Sequence, residues 1–174
     1  MEAGQQFKLI KMKESVKKIK WLFTDVDGVL TDCGVYYSEN GEVLKRFSLR
    51  DGMGAERLRK FTNIQIAIMT GENSGPVSRR AEKLKIEKVF LGVKDKLSVM
   101  KQFLLENNLT FDEIAYIGDD MNDLEVIQHA GVTACPADAV NQIKANVDYI
   151  AENNGGYGAF RDFCEYIILE LSKD

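Results

Sequence analysis

The sequence predicts a three-layer α/β fold, in which helices cover both faces of a parallel β-sheet. Short apolar runs bounded by Gly, Asp, Asn or Lys alternate with longer stretches that have helical spacing. Strands that alternate with helices of roughly 10 to 15 residues are typical of βαβ units, whose parallel sheets are buried on both faces. The chain has 174 residues and contains no repeats or Pro-rich linkers, so we expect one domain built on this plan.

A basic stretch precedes the first predicted strand, which covers residues 21–24. Residues 8–20 carry six Lys and one Glu with apolar residues between them, and we interpret 1–17 as a basic leader ahead of a single domain at 18–174. A β-hairpin is expected after the first strand, at about 34–48, because Asn-Gly at positions 40 and 41 separates two strand-like runs. Asn-Gly is the strongest short-range signal for a hairpin turn.

The remaining strands and helices alternate along the chain. Strands are predicted at 64–69, 89–91, 114–117 and 132–134. Helices are predicted where apolar residues recur at helical intervals, at 51–61, 74–85, 95–107, 121–129 and 138–145. A last helix is expected after the turn formed by the glycines at 155, 156 and 158.

Composition and charge exclude several classes of function. With 27 acidic and 23 basic side chains the net charge is −4, which gives no general attraction for nucleic acid. No apolar run is long enough to span a membrane, and the N-terminus does not have the pattern of a signal peptide. Cys33, Cys135 and Cys164 form no CxxC pair, so neither a disulfide framework nor a zinc knuckle fits, and we expect a cytoplasmic protein.

Charged and polar residues stand where the predicted strands end or where the next helix begins. They are Asp25, Asp27, Thr70 with Gly71, Lys96, Asp119, Asp120 and Asp123. Because ligands bind at the carboxyl ends of the strands in open α/β sheets, we expect these residues to meet at one edge. Each feature alone could be a solvated loop, a turn, a surface charge or a helix cap. Their order along the chain favours a catalytic site.

The spacing of the first two carboxylates predicts their roles. In Asp25-Val-Asp27 both side chains point the same way from an extended strand, so they reach one small volume. We predict that Asp25 attacks phosphorus to give an aspartyl-phosphate and that Asp27 protonates the leaving oxygen. Asp27 would then deprotonate the water that hydrolyses the intermediate.

Carboxylates held this close together require a cation, and hard oxygen ligands suit Mg²⁺. We expect the metal to be held by Asp25, Asp119 and the backbone carbonyl of Asp27. Asp120 and Asp123 would support the metal or orient a lysine.

The transferring phosphoryl group needs donors of its own, because negative charge spreads over its oxygens in the transition state. We assign this role to the Thr70 hydroxyl, the Gly71 amide and Lys96. Asp123 is placed to orient Lys96 through an ion pair.

These motifs resemble those of the haloacid dehalogenase superfamily, in its phosphatase branch. The matching segments are 25–31, Thr70-Gly71, Lys96 and 118–123. Further segments are similar to the 3-deoxy-D-manno-octulosonate (KDO) 8-phosphate phosphatases and their nonulosonate relatives: Thr31-Asp32, 47–52, Arg80 and 155–161. The resemblance covers about residues 18–170.

The resemblance implies a Rossmann-like, Mg²⁺-dependent enzyme without a cap domain, which hydrolyses a keto-deoxy sugar-acid phosphate. It also implies a homotetramer, in which protruding hairpins form a barrel and help to close a neighbour's site. The residues themselves agree, because the predicted hairpin is too small to enclose a sugar. A neighbouring subunit is the simplest remaining wall for a site that must exclude water.

Several residues are candidates for contacts with the sugar acid. Arg80 matches the family's Arg for the substrate carboxylate, although from the residues alone it is a solvated helix charge; Arg50 and Thr31 are further candidates. Glu72 with Lys83 is more similar to the nonulosonate 9-phosphate phosphatases, or is an ordinary ion pair or two surface charges.

Three functions therefore remain open. KDO 8-phosphate is the preferred substrate, and a KDN or N-acylneuraminate 9-phosphate is the alternative. A non-catalytic oligomerisation module related to sugar-acid cytidylyltransferases is a second alternative.

Overall fold

A six-stranded parallel sheet forms the centre of the molecule, and β1 lies in its middle. The computed structural model describes residues 14–173. The strands of this sheet are β1 (Trp21–Thr24), β4 (Gln65–Met69), β5 (Lys88–Phe90), β6 (Ile114–Ile117), β7 (Val132–Cys135) and β8 (Tyr149–Ile150). Their order in space is β5-β4-β1-β6-β7-β8. The end of β1 therefore lies between the ends of β4 and β6.

Between residues 18 and 173, six α-helices flank the sheet. They are α1 (Leu49–Phe61), α2 (Gly75–Leu84), α3 (Lys96–Asn107), α4 (Leu124–Ile127), α5 (Asn141–Lys144) and α6 (Ala159–Leu171). Neighbouring residues of β1 face opposite sides, so Leu22 packs in a cluster with α1, α2 and α6. Phe23 packs on the other face with residues of α3, α4 and α5. The six-stranded sheet therefore has one hydrophobic core on each face, with helices outside both, which confirms the predicted three-layer α/β fold.

The predicted hairpin is present and stands apart from the main sheet. It consists of β2 (Val35–Ser38) and β3 (Gly41–Lys45), which pair antiparallel in a sheet of their own. Residues 39 and 40 form the two-residue loop, and Gly41 follows with φ of +105°. The hairpin leaves large apolar side chains exposed: Tyr36, Tyr37, Val43 and Leu44.

Two predicted helices differ from the structure, and one strand of the sheet was not predicted. The helix predicted at 121–129 is a 3-10 turn at Met121–Asp123 followed by the single turn of α4. The helix predicted at 138–145 is reduced to α5, because Asp138 accepts a hydrogen bond from the Gly155 amide and Val140 is extended. The strand β8 was not predicted, because two residues are too few to show the apolar pattern of a strand.

The first and last helices are joined by a buried carboxylate. Ser48 is the N-cap of α1, so the Asp51 side chain does not cap this helix. Asp51 Oδ1 accepts a hydrogen bond from the Arg161 amide of α6 at 3.1 Å. Gly54 allows the close approach, since a Cβ at that position would lie 2.8 Å from Arg161 Cα. Asp51 therefore satisfies a backbone donor at the start of α6.

The structure begins within the predicted leader. Residues 1–13 of the predicted 1–17 leader lie outside the described residues, whereas Val16 and Ile19 pack in the core. Among residues 14–173, no helix combines the length and apolar content needed to cross a bilayer.

Candidate active site

The two carboxylates predicted to be catalytic follow β1, whose end is fixed on both sides. The Asp25 amide donates to the Ile117 carbonyl of β6 at 3.0 Å, and Thr24 pairs with Ile68 of β4. Asp25 is the first residue beyond the strand, and Asp27 lies in the turn that follows. The central position of β1 brings these side chains between the segments that follow β4 and β6.

A buried chain of charges links the ends of β1 and β6. Lys96 Nζ lies 3.0 Å from Asp25 Oδ2 and 2.6 Å from Asp123 Oδ1. All three residues are nearly inaccessible to water. Asp123 Oδ1 also accepts a hydrogen bond from the Tyr116 hydroxyl, and its Oδ2 accepts one from the Asp119 amide. Asp123 thus has both oxygens occupied, which fits the predicted role of orienting Lys96.

Asp119 completes a cluster that fits a divalent cation. Carboxylate oxygens of Asp25, Asp119 and Asp123 lie within 4.8 Å of one another. Asp119 Oδ1 is buried and has no hydrogen-bond partner. When all three carboxylates are ionised, they and the single ammonium of Lys96 have a net charge of −2, which Mg²⁺ would neutralise. Because Asp123 is occupied by other donors, Asp25 and Asp119 are the side chains that fit the metal.

Gly28 allows Asp119 to reach this position. A Cβ at Gly28 would lie 1.9 Å from Asp119 Oδ2, so no other residue fits without displacing the carboxylate. The φ of Gly28 is +89°, in the region that favours glycine. The glycine of the first motif is therefore required by the turn and by the site together.

Burial and mutual repulsion alter the acidity of the cluster. Burial and the Asp123 charge raise the pKa of Asp25 to about 7, although Lys96 acts in the opposite direction. Burial and the Asp25 charge raise the pKa of Asp119 to about 8. Burial alone would lower the pKa of Lys96, but Asp25 and Asp123 raise it, so Lys96 remains charged.

These shifts predict how stability depends on pH without metal. The unfolded carboxyls ionise near pH 4, so between about pH 4 and pH 8 the metal-free folded protein holds more protons than the unfolded chain. The free energy of unfolding should therefore fall as pH rises through this window. We expect the melting temperature in EDTA to fall from about pH 5.5 to about pH 8.5, and excess Mg²⁺ to offset the fall.

The Asp119→Asn variant is the control for this measurement. It removes one of the two raised pKa values of the cluster, so its melting temperature in EDTA should fall less steeply with pH than that of the wild type. A wild-type melting temperature that stays constant or rises over the same range would contradict the assignment of the cluster.

Two side chains hold the Asp27 carboxylate, Thr31 and Lys45. The sequence motifs indicated Thr31 as a site residue but did not indicate Lys45. Thr31 is fully buried, and its hydroxyl donates to Asp27 Oδ1 at 3.2 Å. Lys45 Nζ, at the end of β3, lies 2.6 Å from Asp27 Oδ2. Lys45 was missed because a lysine in a hairpin strand usually points to solvent. No local pattern reveals that this one is buried.

Thr70 and Gly71, two of the three residues predicted to bind phosphate, line a cleft together with the carboxylates. The cleft has a volume of about 390 Å³. Its lining includes Asp25, Asp27, Cys33, Thr70, Gly71, Glu72 and residues 119–122. Thr70 is buried, and its amide donates to the Phe90 carbonyl of β5 at 3.0 Å. The segments after β1, β4 and β6 therefore meet around one space, with Lys96 behind Asp25.

Cys33 lies at the edge of this cleft, with Sγ 4.0 Å from Asp119 Oδ2. Burial and the nearby Asp119 charge raise the pKa of its thiol to about 11. The thiol is therefore protonated at neutral pH, which makes it a poor nucleophile.

The basic candidates for substrate binding lie away from the cleft lining. Arg80 donates to the Ser48 carbonyl at 2.7 Å, and its guanidinium lies over the Phe47 ring. Arg50 and Lys83 are exposed on α1 and α2.

The two acidic candidates are exposed residues of the cleft lining. Glu72 lies 4.0 Å from Lys94, rather than pairing with Lys83. Asp120 accepts a hydrogen bond from the Met121 amide and caps the 3-10 turn.

Comparisons with known proteins agree with this arrangement. Residues 91–160 match the family model of the haloacid dehalogenase-like hydrolases. The KDO 8-phosphate phosphatase of Haemophilus influenzae is 38% identical over 162 residues, which cover 93% of this chain and 89% of that protein.

Solved structures give the same result. The KDO 8-phosphate phosphatase of Moraxella catarrhalis, in complex with magnesium, phosphate and KDO, is 36% identical with a TM-score of 0.86, covering 91% of both chains. A hydrolase of the haloacid dehalogenase superfamily from Legionella pneumophila is 37% identical with a TM-score of 0.90. That comparison covers 99% of this chain and 94% of the Legionella chain.

Proposed function

Because this chain belongs to the KDO 8-phosphate phosphatases of the haloacid dehalogenase-like hydrolases, we propose that its acidic cleft hydrolyses the phosphate ester of a keto-deoxy sugar acid. The substrate is KDO 8-phosphate, the products are KDO and phosphate, and the cofactor is Mg²⁺. The observation that carries the proposal is the buried chain Asp25–Lys96–Asp123 beside the unpartnered oxygen of Asp119.

The reaction begins at Asp25. Its carboxylate attacks phosphorus in line with the ester oxygen, while protonated Asp27 gives its proton to the departing sugar oxygen. The P–O bond to the sugar breaks, and the phosphoryl group is left on Asp25. Asp27, now a carboxylate, takes a proton from the water that attacks the aspartyl-phosphate, which releases phosphate and restores both side chains.

The surrounding residues stabilise the charge that moves during these steps. Lys96 lies 3.0 Å from Asp25 Oδ2, where its ammonium also faces a phosphoryl group transferred to that carboxylate. The Thr70 hydroxyl and the Gly71 amide line the cleft opposite the end of β6 and act as further donors. When bound by Asp25, Asp119 and the Asp27 carbonyl, Mg²⁺ supplies positive charge that neutralises the phosphate oxygens and the carboxylates.

Recognition of the sugar acid is assigned to residues around the cleft. Glu72 lines the opening, whereas Arg50, Arg80 and Lys83 lie outside the lining of their own cleft. We propose that Arg50, Arg80 and Lys83 contact the substrate in the cleft of a neighbouring subunit. Arg50 is exposed at the start of α1, which leaves it accessible for such a contact. Thr31 contributes by holding Asp27.

A homotetramer would bring such a boundary next to the cleft. In support, the hairpin exposes Tyr36 and Leu44 as a cross-strand pair, together with Tyr37 and Val43. Exposed apolar patches of this kind are typical of interaction sites. Light scattering should give the mass of four chains, and activity per subunit should fall when dilution separates them.

Residues 18–174 are proposed to act as one catalytic domain, and the cytoplasm is the proposed compartment. The six-stranded sheet with a core on each face supports the first proposal. Three free cysteines, Cys33, Cys135 and Cys164, suit a reducing compartment.

Phosphate release from a panel of sugar-acid phosphates tests the function. With Mg²⁺, we expect kcat/KM for KDO 8-phosphate to exceed that for KDN 9-phosphate and N-acetylneuraminate 9-phosphate by at least about 10-fold. Faster hydrolysis of a nine-carbon ester would assign the enzyme to the nonulosonate substrates. No release from any phosphate ester, in a protein that still assembles, would favour the non-catalytic oligomerisation module.

A further inference from the structure

The hairpin carries one buried charge, and that charge points at the site. Lys45 is the only buried residue of β2 and β3. Its side chain is 0% exposed, although it ends in an ammonium group. Every other residue of these two strands is exposed or half-buried. The hairpin is therefore attached to the body through a lysine, at a position where an apolar side chain would normally be expected.

Two carboxylates neutralise this ammonium. Nζ of Lys45 lies 2.6 Å from Asp27 Oδ2 and 3.5 Å from Glu42 Oε2. Glu42 also accepts a hydrogen bond from the hydroxyl of Ser74, the N-cap residue of α2. The polar chain Asp27–Lys45–Glu42–Ser74 thus connects the turn after β1, the hairpin and the start of α2.

Attachment of the hairpin alone does not explain a buried lysine. Removing an ammonium from water is costly, and buried ion pairs replaced by apolar residues of similar size are often as stable or more stable. The pair is therefore better explained by what it does to Asp27. The Thr31 hydroxyl holds Oδ1 and Lys45 holds Oδ2, so both oxygens of the carboxylate are fixed.

We propose that Lys45 is a positioning residue, which holds the Asp27 carboxyl group in the orientation needed to give its proton to the leaving oxygen and then to take one from the attacking water. Glu42 balances the charge of Lys45 while Asp27 is protonated. The inference rests on the proposed phosphatase function. Lys45 keeps its own protons throughout, because the transferred proton moves only between Asp27, the sugar oxygen and water. The hairpin is thereby part of the catalytic arrangement of its own subunit.

Substrates that differ in leaving group test the proposal. A sugar alkoxide leaves poorly and needs the proton from Asp27, whereas p-nitrophenolate leaves without it. The ratio kcat/KM reports on steps up to departure of the leaving group, so it isolates this proton transfer. For Lys45→Met with Mg²⁺, we expect kcat/KM for KDO 8-phosphate to fall by about 10²-fold, and that for p-nitrophenyl phosphate by less than about 3-fold.

Two further variants separate positioning from general damage. Lys45→Arg keeps a cation in reach of Asp27 and should restore most of the activity on KDO 8-phosphate. Arg46→Met removes the next cation of the same chain segment, which pairs with Asp32 at 2.7 Å, and should leave the ratio between the two substrates unchanged. If Lys45→Met does not fold, Lys45→Gln replaces it with an uncharged donor, and the same selective loss is expected.

The outcomes distinguish this proposal from the function on which it rests. Equal losses on both substrates, or no loss on either, would overturn the role of Lys45 while leaving the phosphatase function intact. A wild type that hydrolyses p-nitrophenyl phosphate and another alkyl phosphate, but not KDO 8-phosphate, would overturn the substrate; the comparison then uses that alkyl ester. A wild type inactive on all phosphate esters would overturn both.

Discussion

Replacement of Asp25 by Asn should lower kcat for KDO 8-phosphate by about 10⁴- to 10⁶-fold, the range seen when a catalytic nucleophile is removed. The amide has almost the same shape but is far less nucleophilic, so the aspartyl-phosphate does not form. Initial rates of phosphate release with saturating Mg²⁺ measure the loss. Thermal unfolding of the same samples shows whether the variant keeps its fold.

Asp112→Asn is the matched control, because it makes the same change of charge at an exposed residue that pairs with Lys18. Its kcat should stay within about 2-fold of wild type, since surface substitutions have small effects. Activity of Asp25→Asn close to that of the control would exclude Asp25 as the nucleophile and require another group to accept the phosphoryl.

Replacement of Lys96 by Met should damage both stability and catalysis. Lys96 is the ammonium between Asp25 and Asp123, so its loss leaves two buried carboxylates without their cation. Removing one partner of a buried ion pair costs about 3–5 kcal/mol of unfolding free energy. Loss of a charged donor at the phosphoryl group should lower kcat/KM by about 10²- to 10³-fold or more.

Denaturant unfolding and phosphate release measure these two effects. Lys101→Met is the control, because Lys101 is an exposed residue of the same helix, α3. It should change the unfolding free energy by less than about 0.5 kcal/mol. If Lys96→Met matched the control in both measurements, the buried charge chain would have neither of its assigned roles.

The sequence predicted the parts of this molecule that depend on local patterns. Five of the six strands of the sheet are short apolar runs with clear boundaries, and Asn40-Gly41 marks the hairpin. The carboxyl ends of parallel strands meet at one edge of the sheet, so the sequence alone predicts that Asp25 and Asp119 lie near one another. The same reasoning placed Lys96 at the start of α3, beside them.

Features that depend on distant pairs were not predictable in the same way. The Lys45 contact with Asp27 requires the hairpin to fold back on the turn after β1, and no short pattern specifies that direction. Arg80 was expected at a substrate carboxylate, but within its own subunit its guanidinium is used by the Ser48 carbonyl. The segments at 121–129 and 138–145 have helical spacing but form only short helices. Asp123 accepts a hydrogen bond from the Asp119 amide and Asp138 accepts one from the Gly155 amide, and the spacing of apolar residues does not reveal these contacts.

The hydrogen bond from the Arg161 amide to Asp51 affects the order in which the protein folds during its synthesis. The two residues are separated by 110 positions, so α1 is synthesised long before its partner helix exists. A buried carboxylate without its donor is costly, and contacts between distant residues form late because loop closure must precede them. The hydrogen bond between Asp51 and the Arg161 amide can therefore form only after α6 has been synthesised and has left the ribosome. Until then the apolar face of α1 is a surface that chaperones can bind.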